Sequence, residues 1–193
     1  MELPPLGTVL PQLLALLGGG AAVGGTGLAV AKALLRDSFH VELHRGRLYL
    51  QYGVPSSGPL IPRTSVIVRL TPDRGNGAFA AAPIPAGSHI CDYEGELLDR
   101  AQYFARYGDG VSDFAATLDD EYVLDSVGIV ADTEKFSAVH INHSRAGHNV
   151  VRYYDRGKRR IAFFTERDIA PGEELLFDYG RNYWVGRESC ELP

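Results

Sequence analysis

The chain has 193 residues, 45% of them hydrophobic and 22% charged, with a formal net charge of −5 at pH 7. That length suits one domain whose core needs no staples, and two cysteines, Cys91 and Cys190, exclude a disulfide scaffold. The acidic balance argues against direct nucleic-acid binding, which needs a basic face, and fits a basic partner.

Residues 3–31 carry no charge, and the stretch "QLLALLGGGAAVGGTGLAVA" at 12–31 is 20 residues long, enough to span a bilayer. Gly20 and Gly24 give a small-xxx-small spacing, and Lys32 and Arg36 follow the run. Against a span stand the glycines, which lower helicity and hydrophobicity. A signal peptide would begin with basic residues, and only Glu2 precedes this run. Three readings stay open: a membrane anchor through residues 12–31, a targeting segment, or a soluble extension. Pro4, Pro5 and Pro11 predict an irregular lead-in to an apolar helix near 12–35.

From residue 37 the texture becomes β-rich. "FHVELHRGRLYLQYG" alternates about a turn at Arg45-Gly46, and "RTSVIVRL" is a β-branched run that predicts a strand. "TPDRGNG" is turn chemistry, and "SHICDYEGELL" reads as another strand. Residues 99–108 predict a short helix with Asp99 as N-cap and Gly108 as its stop. "FAATL" and "EYVLDS" read as strands, "GIVAD" as a strand or turn, and "DTEKFSAVHI" as a short helix. "NVVRYYDRGKRRIAFFTERDI" reads as a hairpin about "DRGK", "EELLFDYG" as a short last strand, and "RNYW" as the start of the tail. Two turns echo each other, "PIPAGSHI" and "DIAPGEEL". No βαβ rhythm is present, so the pattern predicts an irregular, mainly β domain.

The stretch "HINHSRAGHN" at 140–149 raises the question of a metal, since it holds His140, His143 and His148. A site needs three or four converging ligands, and neither the distant cysteines nor Asp132, Glu134 and Asp155 complete such a set. By themselves these residues read as a polar turn after a buried strand end.

Four segments in order change that reading: "RGNGAFA" (74–80), "YEGEL" (93–97), "INHS" with Asn149 (141–149) and "EELLFDYG" (173–180). Together they resemble the SET-domain family of protein-lysine methyltransferases, over residues 64–184. The resemblance implies a β-clip-like fold of several small sheets with a knot-like crossing, in addition to the N-terminal apolar helix. It divides the chain into the apolar segment 1–36, a pre-SET β extension 37–63, the SET domain 64–184 and a tail 185–193. It implies S-adenosylmethionine as cofactor. Asn142 would meet the cofactor's methionine part through its side chain, and His143 the adenine edge through its backbone. Asn76, Gly77, Ala78 and Phe79 would face the methionine moiety, where clustered backbone amides suit a carboxylate.

Tyr179 is the implied catalytic residue, its phenol orienting the substrate amine for an in-line displacement. Phe177 carries no hydroxyl, which leaves room for di- or trimethylation. Arg145 stands where many members carry a zinc-binding cysteine, and the tail holds only Cys190, so no metal is expected. Tyr183 and Trp184 are then the candidates to cover the cofactor, Trp184 by stacking on adenine. Phe114 is a candidate for the lysine channel. The insert at 109–125 contains Asp109, Asp113, Asp119, Asp120, Glu121 and Asp125 and no Lys or Arg, which would steer a basic peptide such as a histone tail. Such an enzyme belongs in the nucleus if histone-directed, and at a membrane or organelle if residues 12–31 anchor or target it. The alternatives are an inactive SET-like peptide-binding module and a methyltransferase of a non-histone protein.

Overall fold

This computed structural model describes residues 39–52, 58–108, 110–185 and 187. The candidate helix and membrane anchor near 12–35 lie outside the described residues. Among those described, no helix is long and apolar enough to cross a membrane. The chain divides into two compact units, Met1–Val54 and Pro55–Pro193.

In the first unit, β1 (Phe39–His44) and β2 (Arg47–Tyr52) form an antiparallel hairpin, with Phe39 opposite Tyr52. Its turn takes positive φ at both central residues, 49° at Arg45 and 76° at Gly46. That is the mirror-image turn whose twist matches a two-residue hairpin.

The second unit is a set of small sheets. β3 (Val66–Leu70) and β4 (Asn76–Ala80) are an antiparallel pair. Their turn closes through Thr71, whose N–H and hydroxyl both donate to the Gly75 carbonyl, at 2.6 and 2.8 Å. β5 (His89–Asp92), β10 (Val150–Asp155) and β11 (Arg160–Thr165) form a sheet in the order β10-β11-β5. β6 (Glu96–Asp99), β7 (Ala115–Thr117) and β8 (Tyr122–Asp125) form another, in the order β6-β8-β7. The helix α1 (Arg100–Tyr107) begins at a capping box, in which Asp99 and Gln102 each accept the other's backbone N–H at 2.8 Å. Such a cap stabilises a helix by about 1 kcal/mol. Gly108, at φ 60°, ends it.

The core is mainly aliphatic and continuous across the sheets. Ile84, Ile90, Ile141, Ile161, Phe163 and Leu175 are each 1% exposed or less. The two echoing turns meet there: the N–H of Ile84 donates to Ile169 at 3.0 Å, and that of Ile169 to Ile84 at 2.9 Å. Each turn reverses at a glycine with positive φ, 74° at Gly87 and 82° at Gly172, a conformation L side chains avoid. The last elements are β9 (Asn142–His143) and β12 (Leu176–Phe177), paired parallel, and a four-residue helix α2 (Arg181–Trp184).

Three elements differ from the sequence reading. "SHICDYEGELL" is two strands in different sheets, because the chain changes sheets at Tyr93–Gly95. A Cβ at Gly95 would lie 2.6 Å from the Asp125 carbonyl oxygen, so only glycine lets the chain pass there. "DTEKFSAVHI" is no α-helix but a loop ending in the single 3-10 turn Ala138–His140. The Asp132 carboxylate accepts the N–H groups of Glu134 and Lys135, a local turn that competes with helix hydrogen bonds. "EELLFDYG" is a strand only at Leu176–Phe177, so Tyr179 lies beyond the strand end.

Candidate functional site

The site is built where β9 and β12 run side by side. Segment 173–177 lies between two other stretches. On one flank it pairs with β4: the Leu175 N–H donates to Ala78 at 2.8 Å, and the Ala80 N–H to Glu173 at 2.9 Å. On the other flank Leu176 pairs with Asn142 and Phe177 with His143. Asn149 fastens the segment from behind. Its side-chain amide donates to the Glu174 carbonyl at 2.8 Å, its side-chain oxygen accepts the Leu176 N–H at 2.9 Å, and its own N–H donates to Leu176 at 3.0 Å. Asn149 is 1% exposed, and a buried carboxamide so fully engaged fixes its surroundings. Three motifs separated by dozens of residues are thus adjacent.

The polar flank of this crossing holds Asn142, Asn76, Glu174 and Arg74. Both amide hydrogens of Asn142 are engaged, by the Asn76 carbonyl at 3.2 Å and by Glu174 Oε1 at 2.9 Å. What Asn142 can offer a ligand is therefore its carbonyl oxygen. Arg74 donates from Nη1 to the His143 carbonyl at 3.1 Å, with Nη2 3.6 Å from Glu174 Oε2. A Cβ at Gly77 would stand 2.7 Å from Glu174 Oε1 and from Thr71 Cγ2, so glycine is what lets β4 approach the crossing. Ala78 is 0% exposed, and its carbonyl is engaged by Leu175. Phe79 is half-buried, with the Arg69 guanidinium 5.8 Å from its ring centre.

The aromatic flank holds Phe177, Tyr179, Tyr183 and Trp184. The rings of Phe177 and Tyr179 are 4.6 Å apart, so the two meet even though the strand ends between them. Tyr183 sets its edge on Tyr179 at 4.7 Å, and Trp184 lies 4.8 Å from the His143 ring. Burial pushes the Tyr179 phenol far above its ordinary range, with the neighbouring Tyr183 and Tyr93 adding to it. The phenol therefore stays protonated, and it donates that proton to the Ile141 carbonyl at 3.0 Å. His143 holds Tyr179 from below: its Nδ1 accepts the Tyr179 N–H at 3.1 Å. An amide can only donate, so this ring nitrogen carries no proton, and Asp178 at 3.8 Å is a neighbour rather than its partner.

The three histidines do not converge. His140 accepts the Ser137 N–H at 3.2 Å, and burial lowers its pKa. His148 lies 3.3 Å from Glu166. Among the described residues no group of three His, Cys, Asp or Glu side chains could hold a metal ion.

Phe114 reaches the site by its backbone. Its carbonyl accepts the Tyr93 hydroxyl at 3.0 Å, and among the described residues its ring is paired with no other ring. Two acids of the insert are buried. Asp119 is 6% exposed and caps the N–H groups of Glu121 and Tyr122, and Asp125 is 2% exposed and bound to Arg106 and Tyr107. Asp113 is paired with Arg187 at 2.7 Å.

Sequence reasoning missed several residues that shape the site. Arg74 and Glu174 lay inside quoted motifs but were given no part. Tyr93, whose hydroxyl burial pushes up to about 12, opens the "YEGEL" motif. Arg152 donates to the Tyr179 carbonyl at 2.8 Å and stands 5.3 Å over the Phe177 ring. Only the alternation of β10, which turns every second side chain to one face, hinted at it.

Comparison with known proteins bears on this arrangement. A family model described as "SET domain" matches residues 75–180. The N-lysine methyltransferase KMT5A-A of Danio rerio is 31% identical over 124 residues, 60% of this chain and 35% of that protein. The histone-lysine N-methyltransferase EHMT1 of Homo sapiens is 30% identical over 115 residues, 59% of this chain and 9% of that protein. Among solved structures, KRYPTONITE in complex with mCHH DNA, H3(1-15) peptide and SAH aligns at a TM-score of 0.47. It is 26% identical and covers 60% of this chain and 23% of that one. The chain thus spans about a third or less of the length of these relatives.

Proposed function

The chain belongs to the SET-domain family, and on that premise we propose that it is a protein-lysine N-methyltransferase that carries more than one methyl group to its target. S-adenosylmethionine is the cofactor of this family's methyltransferases. When bound, it supplies an electrophilic methyl group on a sulfonium sulfur. The polar flank suits such a group. The Asn142 carbonyl oxygen can take the ammonium of its methionine part, and the indole Nε1 of Trp184, buried with no hydrogen-bond partner among the described residues, is a donor in search of an acceptor.

The observation that carries the proposal is the state of Tyr179. Its proton is committed to the Ile141 carbonyl, so the phenol oxygen presents lone pairs to the space beside Phe177. A lysine amine entering there can donate an N–H to that oxygen, which aims the nitrogen lone pair away from it. The phenol does not serve as base, because burial keeps it protonated. The lysine must lose its own proton to solvent before transfer, and a desolvated aromatic surround favours the neutral amine. Phe177, 6% exposed and without a hydroxyl, leaves the amine room to turn with methyl groups on it.

The substrate proposed is a basic peptide segment, with a histone tail the first candidate. The names of the Homo sapiens and Danio rerio relatives support a protein lysine as acceptor. The test is transfer of a labelled methyl from S-adenosylmethionine to histones and to a cell lysate by the full chain. Label on lysine in more than one methyl state is the expected result. No transfer to any protein, with S-adenosylhomocysteine still bound, would overturn it in favour of a binding module.

A further inference from the structure

The short element after the catalytic tyrosine is held from outside itself. α2 is four residues long, a single turn that has little stability of its own. Within it and just after it, the Tyr183 N–H donates to Gly180 at 3.2 Å and the Arg187 N–H to Trp184 at 2.8 Å. Its rings lie on the site, Tyr183 against Tyr179 and Trp184 against His143. The buried Trp184 Nε1 has no hydrogen-bond partner among the described residues, so the indole is not secured through its own polar atom.

Arg187 supplies the hold. Its guanidinium lies 4.7 Å from the Tyr183 ring centre, and its Nη1 is 2.7 Å from Asp113 Oδ1, an ion pair by distance that lacks the alignment of a hydrogen bond. Asp113 stands between two pinned neighbours. The Ser112 N–H donates to the Tyr103 hydroxyl at 3.0 Å, anchoring it to α1, and the Phe114 carbonyl accepts both the Tyr93 hydroxyl at 3.0 Å and the Ser126 N–H at 2.9 Å. One end of the ion pair is therefore fixed to the insert, and the other belongs to the aromatic cap.

We propose that Arg187 and Asp113 are positioning residues, a latch that closes Tyr183 and Trp184 over Tyr179 and His143. Through it the insert and the C-terminal cap form one wall of the site. The latch deepens the methyltransferase reading and rests on it only for its catalytic consequence. Asp113 is 60% exposed in its side chain, so salt weakens the closure. The latch is set to open and close rather than to hold the fold.

Trp184 is the chain's single tryptophan, so its fluorescence reports the cap alone. In the full chain, Asp113→Asn and Arg187→Gln should each raise acrylamide quenching of Trp184 about threefold, the order expected for one exposed ion pair. Each should weaken S-adenosylhomocysteine binding by a similar factor and leave the thermal midpoint nearly unchanged. The swap of Asp113→Arg with Arg187→Asp should restore both readings. Salt near 1 M, where the Debye length is about 3 Å, should bring the parent's quenching to the variants' level. Unchanged quenching in both single variants at low salt, or no recovery in the swap, overturns the latch. A parent chain that transfers no methyl group but shows the full pattern of quenching keeps the latch and removes the enzymatic reading.

Discussion

The crossing and the insert are both dense in polar side chains, and they use them differently. At the crossing, polar groups bind backbone far away in sequence: Asn149 holds Glu174 and Leu176, His143 holds Tyr179, and Arg152 holds the Tyr179 carbonyl. With the chain so fastened, what faces the space proposed for the reaction is aromatic rings and one phenol oxygen. In the insert, the buried acids Asp119 and Asp125 bind within the insert and the adjoining helix, while Asp113 reaches far, to Arg187. Asp119 caps residues two and three positions on, and Asp125 closes on α1 across the small sheet. A count of acids along a stretch is therefore no map of its field. Position in the fold decides which charges a partner meets.

Breaking the insert should show the larger effect on stability. The Asp125 side chain is 0% exposed, with Oδ2 accepting the Tyr107 hydroxyl at 2.6 Å and Arg106 Nη1 at 2.8 Å. Asp125→Ala leaves a buried hydroxyl and half an ion pair, and should cost about 3 kcal/mol in urea unfolding. Arg106 is itself 37% exposed, which keeps the cost at the low end of the range for buried pairs. Burial alone would raise the Asp125 pKa, but Tyr107, the Val127 N–H and Arg106 outweigh it and depress it. A depressed carboxyl contributes stability above its unfolded value, near pH 4, and loses it as pH falls through the folded value. The parent should therefore lose stability below about pH 4 with a steeper slope than Asp125→Asn.

Breaking the crossing should leave the fold and remove the chemistry. Tyr179→Phe deletes the oxygen proposed to take the amine N–H, at an expected loss on the order of 10²-fold in the rate of methyl transfer. It also strips the Ile141 carbonyl of its donor, for about 1 kcal/mol of stability. Circular dichroism should be unchanged. A variant within a few-fold of the parent's rate would remove Tyr179 from the catalytic part.

Gly77→Ala tests the polar flank. The added Cβ meets Glu174 Oε1 and Thr71 Cγ2 at 2.7 Å and Asn142 Nδ2 at 3.1 Å. Glu174's carboxylate is what can yield, and in yielding it releases Asn142. Overpacking of this kind costs about 2 kcal/mol. Calorimetry should find S-adenosylhomocysteine binding about tenfold weaker, a loss near 1.4 kcal/mol.

The same contrast explains what the sequence could show. The β1–β2 and β10–β11 hairpins, the Asp99 cap and the Gly108 stop were legible because each is decided by residues close together. The crossing was legible through resemblance, since three of the four ordered motifs meet there. The break at Gly95 was hidden, because the obstacle is the backbone of Asp125, thirty positions on. The part played by the His143 ring was hidden too, because its partner is an amide of the distant tyrosine segment. The loop at 132–137 reads as helix from composition alone. One Asp side chain turned it aside.

The finest test lies between two rings on the aromatic flank. Phe177 packs edge-on against Phe163 at 5.0 Å, touches Tyr179 at 4.6 Å, and has the Arg152 guanidinium 5.3 Å over its face. Phe177→Tyr adds a single oxygen to a ring that is 6% exposed. The hydroxyl needs a partner, and a water held beside it would occupy the space into which a methylated amine must turn. The first methyl transfer needs none of that space, so its rate should stay within about threefold of the parent, a barrier change of under 1 kcal/mol. The second and third transfers should be suppressed. Mass spectrometry of the product peptide would then show the parent's highest methyl state replaced by monomethyl-lysine, at nearly unchanged consumption of unmodified peptide. If the variant reaches the same highest state as the parent, the space beside Phe177 is not where the amine turns. The aromatic flank would then serve to cover the site rather than to set its product.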